Sequence, residues 1–328
     1  MTAVPSARPS DVPAGKTVGL TLLALVCFAL NSLLCRAALR SGLIDASSFT
    51  LARLASGALV LFVLVRTSGG ARNPVAPSKR DRALSALALF MYALPFSLAY
   101  LRISAGTGAF LVFGCVQITM IGSDLLWGRR IQGREAAGLA LALFGLGWLT
   151  RPGAESPDPL GALLMAISGF AWGIYSIRGR TSGPALFATA RNFAAALPLS
   201  LGASLLTLSS LQLSVPGLLL AMASGGITSG LGYVAWYAAV PSLTATRASI
   251  VQLAVPPLAS ALGILFLGEV LTLRLLVAAP LILCGIAIAV AGPKGLPSSP
   301  VGNLTTFRGG SSGPGSPRPV GRRWPGPR

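Results

Sequence analysis

The residues able to do chemistry in this chain are few, and nearly all sit inside apolar sequence. Arg53 and Arg191 each interrupt an aliphatic run, roughly 7–9 residues from its start, or about 10–13 Å along a helix axis. A charge at that depth in a bilayer costs at least a few kcal/mol and points to contact with a solute. A long arginine can also reach back toward the surface, so a structural or anchoring role is favoured over direct solute contact for both. Pro256 and Pro257 are adjacent in another apolar run. Read as mid-helix prolines, they free the carbonyls of Gln252 and Leu253, and Gln252 adds an amide at the same level. A break lining a polar path and a plain packing kink fit this pair equally well.

Aromatic residues gather in the second half: Trp172, Tyr175, Tyr233, Trp236 and Tyr237. Tyr233 and Tyr237 share a helix face. Trp236 and Tyr237, near a helix end, read as an interfacial belt, whereas Trp172 and Tyr175 lie deeper. Asn31 and Gln117 complete the candidate solute path. Asp124, late in its run and followed by Arg129 and Arg130, could carry a proton. Pairing with those arginines as an anchor is the favoured reading. The chain has no histidine, so a proton relay would be poorly supplied. Cys27, Cys35, Cys115 and Cys284 fall within or at the ends of apolar runs without a CxxC pair and read as buried free thiols. No metal or other cofactor is expected.

The elements that must position these residues are membrane spans. Hydrophobic residues make up 53% of the 328 positions and charged residues 10%, too few charges to cover a water-soluble protein of this size. Apolar runs occur at roughly 17–39, 45–66, 83–101, 105–127, 134–150, 159–177, 184–206, 215–240, 243–268 and 274–291. Backbone groups in lipid must pair internally, so each run is expected to be a helix. The first run follows Lys16 and resembles a signal peptide, but no small-residue cleavage site follows it; it is read as a span. A leader, 1–16, and a basic Gly/Pro/Ser-rich tail, 292–328, are expected to be disordered.

The net charge of +18 does not indicate nucleic acid, because the basic residues form no single face with interleaved aromatics. They sit in the connections. With the N-terminus inside, nineteen of the 26 Lys and Arg fall on the inner side and five, Arg36, Arg40, Arg102, Arg151 and Arg274, on the outer side. That asymmetry predicts a multi-pass protein of the cytoplasmic (inner) membrane with both termini cytoplasmic.

The chain also matches itself. Phe28 to Arg36 (FALNSLLCR) aligns with Phe170 to Arg178 (FAWGIYSIR), and Phe49 to Leu59 (FTLARLASGAL) with Phe187 to Leu197 (FATARNFAAAL). The block from Ser104-Ala105 to Gly145 aligns with that from Thr244-Ala245 to Gly285. The repeats are 17–150 and 159–291. Each holds five spans, so the second copy enters the membrane inverted. Inverted halves can exchange conformations and open a midplane site alternately to either side. The expected fold is therefore all-α integral membrane, ten transmembrane helices as two inverted five-helix repeats. Gly169-x-x-x-Gly173 and Gly226-x-x-x-Gly230 mark close helix approaches in the sixth and eighth spans.

These features resemble the drug/metabolite transporter (DMT) superfamily in its EamA-like branch, over about residues 18–291. The best stretch is WYAAVPSLTATRASIVQLAVPPLASALGILFLGEVLTLRLLVAAPLILCG, Trp236 to Gly285, with its aromatic helix end, small-residue turn, proline pair, Leu-Gly-Glu and Gly-containing last helix. The first repeat departs from it: Arg129 stands where Glu269 stands in the second, and Val116 and Gln117 replace the prolines. The resemblance implies a ten-helix carrier of a small-molecule substrate, read here as an exporter, working in the lipid bilayer with H+ or another ion as a possible coupling partner. An integral-membrane enzyme would need a polar catalytic constellation, and none is visible. A channel would more often show a filter built by an oligomer.

Overall fold

In the computed structural model, residues 14–67, 78–126, 133–153, 156–179, 185–239 and 251–290 are described, all within one compact unit, Met1–Gly292. Nearly all of them are helical. The helices are α1 (Ala14–Arg40), α2 (Ala46–Thr67), α3 (Lys79–Tyr100), α4 (Ala105–Leu126), α5 (Gly133–Thr150), α6 (Pro159–Gly179) and α7 (Ala185–Leu206). An eighth rod runs from α8 (Val215–Met222) through a π-helical stretch, Ala223–Leu231, into α9 (Gly232–Ala239). Then come α10 (Val255–Leu267) and α11 (Leu273–Val290). Five helices are long and apolar enough to cross a bilayer: Gly15–Arg40, Ala46–Thr67, Lys79–Tyr100, Pro159–Arg178 and Val215–Trp236. Ala105–Met120, Val255–Leu267 and Leu273–Ala289 are shorter apolar helices. The residues of the disordered-tail expectation, the Arg129–Arg130 pair and the side chains of Asp124 and Tyr237 lie outside what is described.

Local chemistry sets the helix starts. The carboxylates of Asp45 and Asp158 accept the N–H groups of Ser48 at 2.9 Å and Gly161 at 2.7 Å, capping α2 and α6. Ser78, Ser214 and Thr272 do the same by hydroxyl for α3, α8 and α11. Each cap satisfies a backbone donor that the helix leaves free. The Ser78–Asp81 cap starts α3 four residues before the apolar run expected from 83, because capping and not hydropathy sets the first turn.

The proline pair coincides with a break in the ninth run. Pro256 and Pro257 occupy the first turn of α10, after a turn at Leu253–Ala254 that follows the helical residues Val251 and Gln252. Proline suits that position because its missing N–H would have no helical acceptor there anyway. The carbonyl of Ala254 accepts the N–H of Leu258 at 3.1 Å. The ninth run is thus not one continuous helix over its described residues. The cysteine expectation also needs amending: all four thiols are free, but Cys284 is exposed, while Cys27, Cys35 and Cys115 are buried.

The principal helix contacts form a regular set. α2 packs on α7, α4 on α10 and α5 on α11. α3 packs on α6, and the α8–π–α9 rod packs on α1. α4 packs on α6 and α10 on α1; α3 packs on α7 and the eighth rod on α2. Small residues permit these approaches. A Cβ on Gly138 would collide with the backbone of Gly285 and Ala289, and one on Gly285 with the backbone of Gly138 and Ala142. Gly169 and Gly173 let α6 lie against Val112, Cys115 and Thr119 of α4, and Gly226 and Gly230 face Val60 of α2. Large apolar side chains such as Leu59, Phe62, Phe144, Leu163, Phe266 and Val270 point outward. Asn31, Thr50, Arg53, Ser97, Ser168, Asn192, Ser224 and Thr228 are buried. Polar groups inside and bare hydrocarbon outside is the arrangement lipid demands.

Candidate functional site

The buried polar groups converge with aromatic rings where α1, α2, α3, α6, α7 and the eighth rod meet. Arg53 of α2 is 2% exposed. Its Nη2 donates to the Tyr92 hydroxyl at 2.9 Å, while Nε and Nη1 make no hydrogen bond. Its guanidinium carbon lies 5.2 Å from the centre of the Tyr92 ring and 5.1 Å from that of Phe96. Both distances allow attraction between the cation and the ring faces. The Asn31 amide also donates to the Tyr92 oxygen, at 3.4 Å. Asn31 Oδ1 in turn accepts the Ser224 hydroxyl at 2.7 Å and the Thr228 hydroxyl at 3.4 Å.

A ladder of rings continues from Tyr92. The centre of Trp172 is 4.7 Å from that of Tyr92. Trp172 stacks on Tyr175 at 5.3 Å and on Tyr233 at 5.6 Å, both with planes 27° apart. Phe28 and Phe193 meet Tyr233 at 6.0 and 6.1 Å. Asn192 donates to the Tyr175 hydroxyl at 3.4 Å. Trp172 is only half-buried, so part of its surface is exposed.

The π-helical stretch places Ser224 and Thr228 in this cluster. Its sequence, ASGGITSGL, is poor in side chains that would hold an α-helix by packing. Gly225 packs directly on the Arg53 carbonyl and the Ser56 hydroxyl of α2, where no side chain fits. Widening to a π-helix turns both hydroxyls toward Asn31, a use of the π-bulge common at functional sites.

Of the residues proposed from sequence, Asn31, Arg53, Trp172, Tyr175 and Tyr233 come together here. Arg53 does not reach outward to the surface as an anchor would; it is held inward by Tyr92. Arg191 is half-buried on α7 and its Nε makes no hydrogen bond. Gln117 is buried on α4 and Gln252 is half-buried before α10, and neither is hydrogen-bonded to a member of the cluster. Pro256 is buried and Pro257 exposed at the start of α10. Trp236 meets the edge of Phe28 at 6.0 Å. Sequence reasoning missed Tyr92, Phe96, Asn192, Ser224 and Thr228. The i, i+4 spacing of Tyr92 with Phe96, and of Ser224 with Thr228, was the available signal. Among the described residues, no three or more His, Cys, Asp or Glu side chains gather as a metal-holding group.

Fold and site together define a polytopic helical membrane protein with a polar and aromatic interior. The chain belongs to the EamA-like transporter family, within the DMT superfamily, whose family model matches residues 159–291. It is 48% identical over 280 residues to a Pseudomonas aeruginosa protein described as "Uncharacterized protein PA1977", covering 85% of this chain and 96% of that one. It is also similar to a solved structure described only as "Crystal structure of protein", with a TM-score of 0.61 and 20% identity over 83% of this chain and 95% of that one. That second likeness concerns the fold alone.

Proposed function

We propose that this protein is a secondary transporter that moves a small solute across the cytoplasmic membrane by alternating access, in the outward direction. In this reading its ten helical rods are ten spans, arranged as inverted repeats 17–150 and 159–291, with both termini cytoplasmic. The observation that carries it is the contact pattern. Exchanging the first five rods with the second five, in order, maps the principal interfaces onto themselves. Such a pseudo-twofold arrangement supports two exchangeable halves. The central cluster draws Asn31, Arg53 and Tyr92 from one half and Trp172, Tyr175 and Tyr233 from the other. A site shared between halves is rebuilt each time the halves rock.

The test is flux. The purified protein in liposomes should exchange a solute found by thermal-shift screening, with and without a pH gradient. Cysteines introduced at the ends of α2 and α7 should be labelled from opposite sides of the membrane at equivalent positions. Labelling from the same side would remove the inversion. Turnover of a substrate to a different chemical product would replace the carrier by an enzyme.

A further inference from the structure

We propose that the solute accepted by the central cluster is an organic anion, held by its carboxylate on Arg53 and carrying no compensating ammonium group; this rests on the cluster being the transport site. The inference comes from counting donors and acceptors. A guanidinium offers five N–H donors and no acceptor. Arg53 spends one contact on Tyr92, and its Nε and Nη1 have no partner although the residue is 2% exposed. The Tyr92 oxygen already receives from Arg53 and from Asn31, which leaves its own proton to donate. The unspent donors of Arg53, at Nε, at Nη1 and in the second N–H of Nη2, and the Tyr92 O–H thus belong to one buried group of side chains.

Among the described residues no acidic side chain pairs with that charge. The ion pairs among the described residues are Arg36–Glu269, Arg102–Asp158 and Arg178–Asp81, and none involves Arg53. The rings of Tyr92 and Phe96 share part of the charge through their faces, but a ring face accepts no strong hydrogen bond. Each two-donor edge of a guanidinium includes Nη2, whose second N–H remains beside either Nε or Nη1, and such an edge can hold both oxygens of a carboxylate. The acceptor side is the reverse. Asn31 Oδ1 is occupied by two hydroxyls, and no carboxylate of the described residues joins the cluster. A bound ammonium would therefore meet donors where it needs acceptors, which disfavours zwitterions and cations. The rings of Trp172, Tyr175 and Tyr233 continue from Tyr92, and the half-buried Trp172 is the member with exposed surface. A planar or apolar body behind the carboxylate fits that position.

The experiment uses the full-length protein in detergent and three pairs of probes: benzoate and benzamide, phenylacetate and phenylacetamide, indole-3-acetate and indole-3-acetamide. The acids should raise the melting temperature and bind roughly ten- to a hundredfold more tightly than their amides, the range expected for hydrogen bonds to a charged group. Arg53→Gln should abolish the preference and Arg53→Lys keep part of it. Tyr92→Phe, which removes only a hydroxyl, should weaken the acids alone and decides the matter if Arg53→Gln fails to fold. Equal binding of acid and amide, no binding of any acid, or an acid preference that survives in a folded Arg53→Gln protein would overturn the proposal. Counterflow of a bound acid into proteoliposomes separates it from the transport reading. Arg53-dependent binding without flux removes the transporter and keeps the anion site. Flux of a neutral or cationic solute that is indifferent to Arg53 does the opposite.

Discussion

Arg36 and Glu269, 233 positions apart in the chain, meet at 3.3 Å with side chains only 12% and 8% exposed. The Glu269 carboxylate also takes the Ala105 N–H with both oxygens, at 3.0 and 2.9 Å, at the positive end of α4. Arg36 goes on to the Tyr100 carbonyl at 2.6 Å, and Arg40 donates to the Leu267 carbonyl at 2.9 Å. The acid of the Leu-Gly-Glu turn thus ties together α1, the corner between α3 and α4, and the end of α10. Its geometry is that of a latch between helices.

Glu269→Ala should leave the half-buried Arg36 without its carboxylate and the Ala105 N–H without its acceptor. Breaking a fully buried pair costs about 3–5 kcal/mol, so this partly buried one should lose somewhat less. Glu269→Gln keeps an acceptor for Ala105 and should lose less. Thermal melts in detergent read both, and a Glu269→Ala protein that melts with wild type would show the latch to be inert.

Gly225 and Gly226 are neighbours with different surroundings. A methyl on Gly225 runs into the Arg53 carbonyl, whereas one on Gly226 comes no nearer than 3.2 Å to a Val60 methyl that can move. Gly225→Ala should cost about 1–3 kcal/mol and lower the folded yield, while Gly226→Ala should express normally. The same yield for the two variants would mean that α2 and the π-helical stretch are not held this closely.

Gly230 faces Val60, its Cβ position 3.0 Å from the nearest methyl. Gly230→Leu should reduce flux more than expression if the eighth rod slides on α2 during transport. Equal losses in both assays would indicate ordinary packing.

Tyr175→Ala removes the ring stacked on Trp172 and the hydroxyl that receives Asn192, so flux should fall while folded yield holds. Gln252→Ala should also reduce flux if the segment before α10 enters the path in another conformation, since it is not bonded to the cluster in this one. Wild-type flux in either variant removes that residue from the path.

Much of the helical scaffold was legible in the residue pattern. Long apolar runs can be satisfied in lipid only as helices, so α1, α2, α3 and α6 lie close to where hydropathy put them. The small-residue motifs of the sixth and eighth rods do sit at close approaches, because only Gly and Ala leave room for a neighbouring backbone. Arg53, Trp172, Tyr175 and Tyr233, which the fold gathers into one cluster, stood out as candidates because a charge or a deep aromatic in an apolar run is costly or informative by itself. Tyr92 was not recognised, since one tyrosine in a hydrophobic helix gives no sign of its partner.

Sequence alone was enough to establish a multi-pass helical membrane protein with a few polar residues within its apolar runs, since those follow from hydropathy. Folding was needed to bring Asn31 to Ser224, to hold Arg53 on Tyr92 instead of at the surface, to set the proline pair at a helix start and to turn Glu269 into a cap for α4. Helical periodicity reports which side chains share a face. It carries no information on which other helix that face will meet, and every contact that defines the site crosses from one helix to another.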